Sequence, residues 1–260
     1  MKPCAFCPNP ATTTKGEHLF DDWVNLPDCV PRGYFSIETT KGQPSTRESA
    51  RRLDVTLPVA CNDCNHGWMS DLTNYASKIL RGSVFDDTPT RFGPDEIVTI
   101  AAYGVMKAIV YERGRGVGRH AFSPAVARRF AETIEVPSGV QVWIARSQSR
   151  HLHGARALLG AAFFNRTHRG YKLTVFSYAL NHFVCQVTYP TWEKQRPATV
   201  GLPFVRQTER WDDVAIPIWP DVQSADWSGL TPLNDARFDE FGERWKHAEV
   251  RRPSPSDRLR

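Results

Sequence analysis

The chain has 260 residues, 41% of them hydrophobic and 11% aromatic, with 33 Lys+Arg against 28 Asp+Glu. That length buries a core without disulfide staples, and the composition excludes a disordered or low-complexity chain. The net charge of +5 is mild, but 25 of the 33 basic residues are Arg, which pairs bidentately with phosphate; a nucleic-acid partner stays open beside an ordinary solvated surface.

The start, Met1-Lys2-Pro3-Cys4, carries no apolar run, so no secretory leader is expected, and a cytoplasmic setting would keep the thiols reduced. Cys4-Ala5-Phe6-Cys7 and Cys61-Asn62-Asp63-Cys64 share one CxxC spacing. Two such pairs supply four thiolates to a tetrahedral zinc, whereas a redox CxxC usually comes alone. Cys29 and Cys185 read as ordinary thiols. The 53 residues between Cys7 and Cys61 are too many for a simple zinc ribbon, so the insertion is expected to hold the function. Glu17-His18 sets an acid beside an imidazole near its start. Leu53, Val55, Leu57 and Val59 alternate as on a half-buried strand, and Trp68, Met69, Leu72, Tyr75, Ala76, Ile79 and Leu80 recur at helical spacing. Asn65 follows the second pair directly, in a place where Asn is a preferred helix cap.

Residues 82–93 read as a linker. Pro94 opens a helix carrying Ile97, Ile100, Ala101, Val105, Ala108 and Ile109; Lys107 interrupts its apolar run, which makes it a buried helix and not a membrane span. A second helix is expected from Ser123-Pro124 to Ile134. Strands follow at 140–145, 157–165, 172–178 and 182–189, with a short one at 214–218, and a last amphipathic helix at 234–248. The Gly-rich stretch 112–120 follows a helix instead of a strand, so it reads as a basic loop and not as a nucleotide fingerprint. His151-Leu152-His153 reads as surface loop. Helices first and adjacent strands later make residues 83–250 an α+β domain with an antiparallel sheet, after an N-terminal module at 1–82 and before a mobile basic tail at 251–260.

The order CxxC, Glu17-His18-Leu19-Phe20-Asp21-Asp22-Trp23, strand, CxxC-Asn65-His66-Gly67-Trp68 and helix resembles the zinc-stapled branch of HNH endonucleases. The likeness covers roughly residues 1–80. It implies a ββα-metal (His-Me) finger with structural zinc on Cys4, Cys7, Cys61 and Cys64. It further implies His18 as the general base, with Glu17 and Asn65 holding a catalytic magnesium or manganese, oxygen donors suiting those ions. His66 is a further candidate ligand. The expected activity is metal-dependent hydrolysis of phosphodiester bonds in DNA; Arg47, Arg51 and Arg52 either touch its backbone or belong to a solvated loop. Thr56 stands where the family usually carries a middle Asn. That departure leaves two alternatives in view: a non-catalytic zinc module that binds nucleic acid or protein, and an enzyme of another class using the finger on a small substrate.

Overall fold

In the computed structural model, which describes all residues but 1, 12–15, 26–32, 39–45, 51–55, 87, 89, 115–119, 149–154, 165–170, 193–203, 207–210, 221–223, 248 and 252–260, a short antiparallel ribbon comes first. Its strands are β1 (Glu17–His18) and, after an intervening hairpin of β2 (Gly33–Glu38) and β3 (Thr46–Ala50), β4 (Thr56–Leu57). Glu17 pairs with Leu57 and His18 with Thr56. The approach is close because Gly16 has no side chain: a Cβ there would lie 2.8 Å from the backbone of Leu57.

The second CxxC pair then enters a helix. A single turn, α1 (Asn62–Cys64), runs through a wide turn at Asn65–Met69 into α2 (Ser70–Phe85). The kink sits at Gly67, with φ −92° and ψ −120°. The apolar positions read from the sequence bury Leu72, Ala76 and Leu80 against the core, while Tyr75 stays exposed. The expected linker is therefore partly helix, since α2 continues to Phe85. It also holds a strand, β5 (Arg91–Phe92).

The helix α3 (Pro94–Gly114) is buried at every residue from Ile100 to Glu112. A helix apolar on all sides belongs in the middle of a fold, and here the sheet lies against it at Gly104, where a Cβ would stand 3.0 Å from the Cys185 sulfur. The helix α4 (Pro124–Thr133) begins with Ser123 accepting from the Val126 N–H and with proline at its first position, the favoured start.

The strands β6 (Gln141–Arg146), β7 (Ala155–Phe164), β8 (Tyr171–Leu180) and β9 (Phe183–Trp192) fall where alternation and β-branching placed them. After β10 (Phe204–Arg206) come β11 (Ala215–Trp219), β12 (Ala225–Asp226), α5 (Asp235–Glu243) and β13 (Glu249–Arg251). The seven-stranded sheet has the order β11-β6-β9-β8-β7-β2-β3, antiparallel except between β2 and β7. Among the described residues, three two-stranded sheets, β1-β4, β10-β13 and β12-β5, complete a mixed helix-and-sheet architecture. The last helix is shorter than expected, since Arg244–His247 is a 3-10 turn. Of the expected mobile tail, Arg251 lies in β13 and the rest falls outside the described residues, as do Cys29, Arg51, Arg52, His151 and His153.

One continuous hydrophobic cluster contains Cys4, Phe6, Leu72 and Leu80 from the first 82 residues together with Tyr103, Phe176, Phe183 and Trp227 from beyond them. No helix among the described residues is long and apolar enough to cross a membrane.

Candidate functional site: a four-cysteine cluster beside a buried acid cluster

The ligand atoms of Cys4, Cys7, Cys61 and Cys64 all lie within 4.8 Å of one another. A tetrahedral ion with metal–sulfur bonds of about 2.3 Å needs sulfurs about 3.8 Å apart, so this cluster can hold a structural metal such as zinc. The surroundings fit that role. The backbone N–H groups of Phe6 and Cys61 point at the Cys4 sulfur, at 3.4 and 3.3 Å, and such donors stabilise a thiolate bound to metal. As free thiols, Cys7 and Cys64 resist ionisation. Burial pushes Cys7 up to about 11 and raises Cys64, while at Cys61 the Cys64 backbone and the neighbouring thiols outweigh burial and lower it. A dication supplies the positive charge that four thiolates in one place require.

Trp68 packs edge-on against Phe6 at 5.0 Å and against Phe130 at 5.8 Å. It thus locks the second knuckle's helix to the first knuckle, and Met69 is buried beside it. Asn65 lies inside this helix: Cys61 occupies the cap position, and the Asn65 N–H bonds the Cys61 carbonyl at 3.0 Å. Helix capping therefore does not account for Asn65. Its side chain is half-buried and makes no hydrogen bond among the described residues, and His66 is exposed.

On the other side of the ribbon, Glu17 is 5% exposed and His18 half-buried. Leu19, Phe20 and Val24 anchor the following segment in the core, and Trp23 meets Phe85 edge-on at 5.9 Å. Burying Glu17 requires a counter-charge, and Lys107 of α3 supplies it. This lysine is 1% exposed; its ammonium donates to Glu17 Oε1 at 2.9 Å, Asp21 Oδ1 at 2.7 Å and the His18 carbonyl at 2.7 Å. Tyr103, one turn earlier on α3, donates its hydroxyl to Asp21 Oδ2. Burial alone would lower the Lys107 pKa, but Asp21 and Glu17 outweigh it and hold the group above its ordinary value. Tyr103 is raised well above its ordinary value by burial and then by Asp21. The second oxygen of Glu17 receives no hydrogen bond among the described residues, which leaves it available to another ligand.

The residues read from the sequence therefore fall into two groups. The four cysteines converge. Glu17 and His18 share one strand facing Thr56, with Glu17 already engaged on one oxygen. Lys107, Asp21 and Tyr103 were not anticipated as site residues. The signal for Lys107 was in plain view: a single lysine in the apolar run from Ile97 to Val110 demands a buried acid, and Asp21 sits in the acid-His segment. No family model, no curated protein and no solved structure matches the chain.

Proposed function

We propose that the chain is a metal-dependent HNH-type endonuclease built on a zinc-stapled ββα-metal finger. The observation that carries the reading is the pairing of Glu17–His18 with Thr56–Leu57, next to a four-cysteine cluster whose third member, Cys61, opens a helix. Strand, strand and helix in that order, stapled at the base, are what such a finger needs.

In this reading His18 accepts the proton of the attacking water at a ring nitrogen, a task suited to an imidazole near neutral pH. The free oxygen of Glu17 and the amide oxygen of Asn65 are the donors that would hold magnesium or manganese. Their chemistry fits those hard cations and not the thiolate-bound ion. When bound, that cation offsets charge on the phosphate oxygens. Lys107 holds Glu17 by its other oxygen. DNA is the proposed substrate, and its backbone meets the basic surface of the chain.

Replacing His18 with Ala should abolish magnesium- or manganese-dependent cleavage of DNA while zinc content and circular dichroism stay at parental values. Parental cleavage by that variant would remove the mechanism. A second reading, a non-catalytic nucleic-acid-binding module, is favoured by Thr56 standing opposite His18 in place of Asn. Tight DNA binding with no cleavage under either cation would select it.

A further inference from the structure

We infer that Lys107 is a positioning residue for the Glu17–His18 pair, an inference that rests on the reading of His18 as base. An ammonium has three N–H donors and no acceptor. In Lys107 all three are committed within five residues of chain: the acid before His18, the carbonyl of His18 itself, and Asp21 three residues on.

The lysine itself is held from several sides. It projects from the interior of α3, where its neighbours Met106 and Ala108 are buried. Its ammonium lies 5.6 Å from the Tyr103 ring centroid. Tyr103 in turn fixes the second oxygen of Asp21. Both partners come from the most deeply buried helix of the fold, so the ribbon's reactive pair is referenced to the core and not to the surrounding loops. The ammonium also sets the charge near Glu17. Two carboxylates against one ammonium leave one negative charge, a modest attraction for a cation at the free Glu17 oxygen. Without Lys107 the two carboxylates stand uncompensated, and the His18 carbonyl loses the ammonium that ties it to α3.

The experiment uses the full, zinc-loaded chain with DNA as substrate and Mn2+ as the divalent probe. Lys107→Met should lower kcat by about 100-fold, the usual scale for a reacting group displaced by an ångström, with KM for DNA within about threefold. Calorimetry with Mn2+ alone should show affinity altered by at least about fivefold, because the charge beside Glu17 has changed. Removing one member of a buried ion cluster can prevent folding. Lys107→Met/Asp21→Leu therefore removes both charges of that pair together, and the same loss of kcat is expected of it. Gln186→Leu breaks a buried polar network on the β9 strand, where Gln186 bonds Ser177, Arg244 and Trp245. It serves as the destabilised control and should keep parental kcat. A folded, zinc-loaded variant lacking Lys107 that retains kcat within about threefold of the parent overturns the inference, as does an equal loss in Gln186→Leu. His18→Ala run alongside separates the two ideas. If the parent cleaves only with His18 yet tolerates the loss of Lys107, the positioning role alone falls; if cleavage is absent or ignores His18, both fall.

Discussion

Cys185 illustrates how burial sets chemistry at a single atom. It sits wholly inside the molecule, under α3 and beside Tyr178, and burial pushes its thiol up to about 12. The sign of the resulting pH effect follows directly. Between the thiol's unfolded value near 8.5 and its folded value, the unfolded chain has lost the proton and the folded chain has kept it. Stability therefore falls as pH rises through that window, by up to about 1.4 kcal/mol per pH unit from this group. Denaturant melts from pH 8.5 to 10 should show a shallower decline for Cys185→Ala than for the parent. Above pH 10 the buried hydroxyls of Tyr103 and Tyr178, both raised mainly by burial, add to the fall. The same reasoning explains Lys107. A lone cation in an apolar helix is legible as unfinished business in the sequence, but its partners lie about ninety positions earlier, and no local pattern points that far.

At the scale of elements, the ribbon depends on a close backbone approach. A methyl group on Gly16 would press on the carbonyl carbon and oxygen of Leu57, atoms that cannot swing aside. Gly16→Ala should cost about 1–3 kcal/mol in urea melts, the range for overpacking a tight site, and it should weaken Mn2+ binding if the ribbon carries the cation. The helices and the run from β6 to β9 were legible because each is long and periodic. The hairpin of β2 and β3 was not. It lies in the insertion, reads as loop in composition, and becomes sheet by joining β7 through Ile37 and Glu38, a partner more than a hundred residues away. The two-residue strands β5 and β12 were hidden for a similar reason: their pairing supplies the structure and their sequence does not. The insertion thus extends the large sheet, a role that reading it as the seat of function did not anticipate.

For the whole molecule, the four cysteines and the large sheet share one buried cluster, so metal loss should be felt everywhere. Chelation of the zinc-loaded protein should lower Tm by about 10 °C or more, given structural-zinc energies of several kcal/mol and about 2–4 °C per kcal/mol at this size. Tryptophan fluorescence and release of zinc to a colorimetric dye should report a single transition with a common midpoint. Two well-separated midpoints would show instead that the cysteine cluster melts independently of the sheet.

The face of α2 that carries Leu72, Ala76, Leu80 and Val84 closes onto the core, and Glu17 finds its counter-ion on another helix altogether. The N-terminal segment is consequently not portable. Excised as a fragment ending before Pro94, it would keep all four cysteines and take up zinc, yet leave an oily helix face wet and a carboxylate stranded. Such a peptide should bind a hydrophobic dye and melt without cooperativity, and grafting it onto another scaffold would require carrying α3 along.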